Sequence, residues 1–244
     1  MTASTFVTDA GIQVPAVTAE QMREVDRVAT EEVGPNLYQM MENAGRSLAL
    51  TVLDTMGGVW ALKPVVVLAG TGGNGGGGIC AARHLANRGV DVTVVLSDSK
   101  GLRPVSEEQL STYRGTGGRV ASLDELDGRE AGVVVDAIIG YSLGGAPRGA
   151  PREMIDWSVA QAGPVISLDV PSGIDATSGK APGTHVLASA TLTLALPKTG
   201  LDVAAAGVVF LADIGIPREV YRRAGIDVPV HIFRARYRVS VRPQ

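Results

Sequence analysis

Three uninterrupted β-branched runs constrain this chain more than any other feature: Val65-Val-Val-Leu-Ala69, Val133-Val-Val-Asp-Ala-Ile-Ile139 and residues 165–170. A half-solvated strand alternates apolar and polar side chains. A run that is apolar at nearly every position has to be covered on both faces, which is the condition of a strand inside a parallel sheet. Parallel strands need long crossovers, and helical signals lie between the runs, at about 76–88, 105–114 and 150–162, with further strands expected at 90–96, near Val120, 191–196 and 208–211. This order predicts an α/β fold with a mostly parallel, doubly wound sheet. Thr18-Ala-Glu-Gln21 has the spacing of a capping box, so a helix is expected from about 19 to 32. Gly34-Pro-Asn36 breaks it, and a second helix runs to Gly57-Gly58. No linker or repeat divides the 244 residues, which are read as one domain: an N-terminal helical arm over 1–58 and a sheet domain over 59–244.

Composition narrows the function classes. With 45% hydrophobic and 19% charged residues, disorder is excluded as the general state. Twenty-two basic against 25 acidic residues give a net charge of -3, with no broad positive field for nucleic acid or an anionic membrane. The alternating arginines Arg234, Arg236, Arg238 and Arg242 read as a solvated edge strand or tail rather than an RNA contact. The single cysteine, Cys80, cannot form an internal disulfide. No apolar run reaches bilayer-spanning length, and the N-terminus carries no secretory pattern, so the expected location is the cytoplasm.

In a doubly wound sheet, ligands bind beyond the carboxyl ends of the strands. Those segments are polar and glycine-rich here: Gly70-Thr-Gly-Gly-Asn-Gly-Gly-Gly-Gly78, Asp136-Ala-Ile-Ile-Gly-Tyr-Ser142, Asp169-Val-Pro-Ser-Gly173 and Pro197-Lys198. A glycine run opening a helix lets backbone N–H groups approach an anion at the helix's positive end. Gly70-Thr-Gly-Gly-Asn-Gly75 also fits the dinucleotide fingerprint, but the acidic residue expected about 20 positions on is poorly served by Asp91 or Asp98. No Lys-Ser or Lys-Thr follows the run, which excludes a P-loop. His84, His185 and His231 are too scattered for a zinc helix motif. Gly140-Tyr-Ser142-Leu-Gly144 matches the hydrolase elbow, with Asp169 or Asp175 and His185 or His231 in triad order, but loop rather than helix follows Ser142. Asp136 and Asp169 both end apolar strands, an arrangement that is costly unless a cation or substrate is shared.

Together these segments resemble the YjeF N-terminal-type family, whose characterised members are NAD(P)H-hydrate epimerases. The likeness is carried by Gln21-Met-Arg-Glu-Val-Asp26, Met41-Glu-Asn-Ala-Gly45, GTGGNGGGG, VDAIIG, DVPSGIDATSG and LPKTGL, in the family's order over nearly the whole chain. The resemblance implies a three-layer Rossmann-like sandwich, often a homodimer, and interconversion of the R and S forms of hydrated NADH or NADPH. A separate ADP- or ATP-dependent dehydratase would then consume the S form. It also implies one K⁺ per subunit on Asn74, Asp136 and Ser172, and substrate contacts from the loop Gly73, Asn74, Gly75, Gly76, Gly77, from Gly140, Tyr141, Ser142, Leu143, Gly144, Gly145, Ala146, and from Asp169. Two positions depart from the family loop: Gly73 replaces an asparagine and Gly77 an aspartate, which would remove one substrate-contacting carboxylate. Some relatives are non-catalytic binding modules, so a nucleotide- or ADP-ribose-binding role without catalysis is the alternative.

The chemistry requires an acid for a leaving hydroxyl and a base for returning water, and Asp169 is the catalytic candidate. A turn cap over residues 171–173 is its other reading. Lys198 is expected either to pair with a substrate phosphate or to brace Asp169.

Overall fold

The computed structural model describes residues 5–126, 128 and 130–244. The parallel part of the sheet is built from β3 (Val65–Ala69), β4 (Val92–Leu96), β5 (Arg119–Ala121), β6 (Val133–Ala137), β7 (Val165–Leu168), β8 (Ala190–Leu194) and β9 (Val208–Ala212). Three antiparallel strands continue it: β10 (Arg238–Pro243) pairs with β9, β1 (Thr5–Thr8) with β10, and β2 (Gln13–Pro15) with β1. The resulting order is β2-β1-β10-β9-β8-β7-β6-β3-β4-β5. The chain winds outward from β3 through β4 to β5, then returns beside β3 as β6 and winds the other way. The switch point therefore lies between β3 and β6.

Every residue of β3, β6 and β7 is buried, as the apolar runs require. Their alternate side chains feed two cores. Val65 and Val67 join a large core with Leu48 and Val52 of α2 (Leu37–Met56) and with Ile79 and Leu85 of α3 (Gly73–Ala86). The same core takes Leu110 and Tyr113 of α4 (Pro104–Arg114). Val66 and Leu68 point the other way, to Met154 and Ile155 of α5 (Ala150–Val159). The molecule is thus a three-layer α/β sandwich around a mostly parallel ten-stranded sheet.

The expected elements are present with shifted bounds, together with three strands that the sequence pattern does not announce. The first helix, α1 (Ala19–Val28), is capped by the expected Thr18–Gln21 box and continues into a π-helical turn over Ala29–Val33. α3 starts at Gly73, three residues inside what the sequence suggests is loop. Within the expected arm, residues 5–15 form β1 and β2, which extend the sheet. The arginine-rich C-terminus is not an edge: β10 lies between β1 and β9, with Val239 and Val241 buried. Two of its four arginines pair with acids, Arg236 with Asp9 and Arg238 with Asp54. Among the described residues, no helix is long and apolar enough to cross a membrane.

Candidate functional site

The loops after β3 and β6 flank the switch point, and those after β7 and β8 lie alongside. The loop after β3 enters α3 at Gly72, where no side chain caps the helix. Most glycines of this run face the protein. A Cβ on Gly70 would lie 2.0 Å from the Ile138 carbonyl oxygen, one on Gly75 1.8 Å from the Gly70 carbonyl oxygen, and one on Gly78 2.4 Å from the Ala137 Cβ. Gly76 points at Met41 and Ser106, and Gly77 at a Leu168 methyl group 2.8 Å away. The run therefore serves close helix–sheet packing as well as ligand approach. At Gly77 an added Cβ would first meet the flexible Leu168 side chain. In the same run Gly73 is exposed and Asn74 half-buried, at the mouth of the loop.

Asp136, the fourth residue of β6, is fully buried and saturated with donors. Its Oδ2 accepts from Ser167 Oγ at 2.7 Å and from the Ser172 N–H at 2.9 Å, and its Oδ1 accepts from Ser172 Oγ at 2.5 Å and the Ile138 N–H at 3.3 Å. Burial pushes this carboxyl upward and the four donors pull it back. Ser172 Oγ in turn accepts from the Ile139 N–H at 2.8 Å. On the far side of the next residue, a Cβ placed on Gly140 would lie 3.1 Å from Asn74 Oδ1 and 3.2 Å from Asp169 Oδ2. Gly140 thus leaves a space, shared by the Asn74 amide and the Asp169 carboxylate, that a side chain would fill. Asn74 Nδ2 is buried there without a hydrogen-bond partner.

Asp169 follows β7 directly and carries a φ of 72°, in the left-handed region. Among non-glycine residues aspartate is one of the more tolerant of this region, yet such conformations cost about 1–3 kcal/mol and gather at working sites. The twist leaves Oδ1 on Lys198 Nζ and Oδ2 on the Tyr141 N–H at 3.0 Å. Neither oxygen caps residues 171–173. Lys198 is 1% exposed, and its ammonium also donates to the Leu194 carbonyl at 2.9 Å. It braces Asp169 rather than reaching outward for a phosphate. A buried pair of this kind holds its geometry because either partner alone would be an uncompensated charge.

The sequence pattern does not single out one residue of this network. Asp26, on α1, accepts a 2.5 Å hydrogen bond from the Tyr141 hydroxyl, and burial pushes its carboxyl upward. It closes the Gln21–Asp26 segment of the family pattern, but its partner is 115 residues away, so the helix's own pattern assigns it no role. The rest of the 140–146 segment is largely open: Ser142, Gly144, Gly145 and Ala146 are exposed and Leu143 is half-buried. Ser142 makes no hydrogen bond to a histidine among the described residues, and helix α5 begins only at Ala150. The nucleophile-elbow geometry is absent.

A family model described as YjeF-related protein N-terminus matches residues 37–200. The chain is 52% identical to an NAD(P)H-hydrate epimerase of Dehalogenimonas lykanthroporepellens, over 91% of this chain and 90% of that one. It is 36% identical to an NAD(P)H-hydrate epimerase of Weissella koreensis, covering 85% and 95% of the two chains. A bifunctional NAD(P)H-hydrate repair enzyme of Salinibacter ruber is 35% identical over 86% of this chain, which spans 42% of that longer protein. The crystal structure of yeast YNL200c superimposes with a TM-score of 0.77 at 24% identity, covering 88% of this chain and 95% of that one, a likeness of fold. With the family model covering about two thirds of its length and a relative matched nearly end to end, the chain belongs to the YjeF N-terminal family.

Proposed function

We propose that the protein interconverts the R and S forms of hydrated NADH and NADPH, with Asp169 carrying the proton. The observation behind this reading is the orientation of the Asp169 carboxylate. Lys198 occupies Oδ1, while Oδ2 looks into the space kept open by Gly140 beside Asn74. The hydrate bears its hydroxyl on a carbon bonded to the ring nitrogen. Protonation of that oxygen lets it leave as water, the nitrogen lone pair fills the gap, and a planar iminium-like ring results. Water then returns to either face, giving its proton back to the same carboxylate. A single positioned acid–base group of this kind contributes about 10² to 10⁴ in rate. Lys198 holds the far oxygen in place, so the proton moves on Oδ2. The uncapped start of α3 at Gly72 to Asn74 offers N–H groups for the cofactor's phosphates.

A K⁺ ion, one per subunit, is proposed at Asn74, Asp136 and Ser172. The side chains offer hard oxygens: Asn74 Oδ1 lies beside Gly140 and the Ser172 hydroxyl meets the Ile139 N–H, while Asp136, whose oxygens already accept from four donors, would exchange one of them for the ion. Bound there, the ion would fix the rim and add positive charge near the phosphates. Anomalous density from Rb⁺ at these residues in soaked crystals is the expected result, and density elsewhere alone would refute the assignment. The remaining parts of the proposal are a cytoplasmic homodimer that hands its S product to an ADP- or ATP-dependent dehydratase. The bifunctional name of the Salinibacter relative supports such a hand-over.

The test of the activity is the rate at which a purified R/S hydrate mixture is drained by an S-specific dehydratase, followed by chiral chromatography. A rate above spontaneous epimerisation supports the proposal. A rate at that baseline, with ADP-ribose or NADP still bound, would assign the protein to the non-catalytic binding modules.

A further inference from the structure

Tyr141 is the hinge between two parts of the molecule that the sequence keeps far apart. Its backbone N–H meets Asp169 Oδ2 at 3.0 Å and its hydroxyl meets Asp26 Oδ2 at 2.5 Å. Among the described residues, these are the two hydrogen bonds that tie segment 140–146 to the rest of the protein. The stretch just beyond Tyr141 is mostly exposed, so its placement depends on this one side chain. Asp26 itself is fixed. The segment leading into α1 runs beside the Lys198 segment, with the Val17 N–H on the Pro197 carbonyl at 2.8 Å and the Thr199 N–H on the Val17 carbonyl at 2.9 Å. The Ala19 N–H, at the first turn of α1, meets Thr177 Oγ1 at 2.9 Å. The same short stretch of chain therefore locates both the lysine on one Asp169 oxygen and the carboxylate that anchors the donor to the other.

We propose that Asp26 is a positioning residue for the reaction, holding Tyr141 so that its N–H keeps Asp169 Oδ2 aimed at the reacting carbon while the 140–146 loop closes over the nucleotide. The role rests on the epimerase reading and acts through Tyr141, not on the substrate. Burial raises both the Asp26 carboxyl and the Tyr141 hydroxyl, so the hydroxyl stays a donor at neutral pH. Removing the hydroxyl leaves the ring and the N–H in place but frees the loop. A displacement of about 1 Å in a catalytic group is enough to cost up to about 10² in rate.

The experiment compares wild type with Tyr141→Phe, Asp26→Leu and Asp26→Asn in the dehydratase-coupled assay, with melting temperatures as a fold control and amide hydrogen exchange of segment 140–146. Tyr141→Phe and Asp26→Leu are expected to lower kcat about tenfold or more with KM changed less than about threefold, and to speed exchange at the Tyr141 amide. Asp26→Asn, whose amide oxygen still accepts from the tyrosine, is expected to recover most of the rate and of the exchange protection. If wild type is active and Tyr141→Phe stays within about twofold of it, or if the change falls on KM alone, the positioning role is overturned and the epimerase reading stands. If wild type does not exceed the spontaneous rate, the reading fails and the positioning role falls with it, whatever the exchange shows.

Discussion

Two clusters of polar side chains lie inside this protein, and they solve the cost of burial in different ways. At the interface of α2 and α3, Glu42 gathers Arg83, His84 and Cys80. Glu42 is 44% exposed, its charge is met by Arg83 at 2.5 Å, and His84 Nε2 lies 2.8 Å from its other oxygen. Cys80 fits there because Gly45 has no side chain: a Cβ on that residue would lie 2.4 Å from the sulfur. At the sheet rim, by contrast, Asp136, Asp169, Ser172 and Lys198 are all at most 3% exposed, and Asp169 holds a left-handed backbone conformation. The first cluster is a brace, with its charge shared between partners near the surface and an unstrained backbone, although Arg83 Nε is left without a partner. The second keeps two carboxylates, a strained residue and an unpartnered amide next to a space that only a glycine leaves open. Neither polarity nor an unmet donor separates a site from a brace, since Arg83 Nε is buried without a partner as Asn74 Nδ2 is; backbone strain at a buried carboxylate beside an open space does.

This contrast can be broken most severely at Lys198. Lys198→Met leaves Asp169 buried without its cation and is expected to cost about 3–5 kcal/mol in urea unfolding as well as the activity, since a half-broken buried pair is worse than none. Gly45→Ala strikes the brace instead. The added methyl has to displace Cys80 and Ala81, and overpacking of this kind costs about 1–3 kcal/mol, while the rate per folded molecule should match wild type. A drop in specific activity at unchanged stability would show that the brace communicates with the site. Smaller still is the chemistry of Cys80, whose thiol is pushed up to about 12 by burial and by Glu42. Iodoacetamide at about pH 8 should leave the native protein unmodified and label it only after unfolding. At the antiparallel end of the sheet, Arg236→Ala removes an exposed ion pair with Asp9 and should change neither melting temperature nor rate measurably.

Much of the rim was legible from sequence because parallel strands are marked twice, by an uninterrupted apolar run and by the polar residue that ends it. Asp136, Asp169 and Ser172 stand at such ends, and the structure joins Asp136 to Ser172 and Asp169 to Lys198. Three things were not legible. Strands β1 and β2 are four and three residues long, and β10 alternates its burial, so none carries the signal of a covered strand. The glycines at 76–78 look like an anion loop in sequence, whereas their inward faces pack α3 onto Met41, Leu168 and Ala137, which needs the crossing geometry to be known. Asp26 sits in a helix with ordinary capping and periodicity, and only the docking of α1 against the loop after β6 gives it a role.

On the epimerase reading, Asp169 moves the proton rather than merely shaping the cleft. Substitution of Asp169 by Asn keeps the size of the side chain and an oxygen for the Tyr141 N–H but removes the exchangeable carboxylate and leaves Lys198 without its counter-charge, so rate and binding are read per folded molecule. The decisive measurement is the dehydratase-trapped epimerisation rate of Asp169→Asn beside its affinity for ADP-ribose. The expected result is a rate lower by about 10² or more, with binding within about threefold of wild type. A variant that retains the rate within about tenfold, or that loses rate and binding in equal proportion, would contradict a proton-transfer role for this residue.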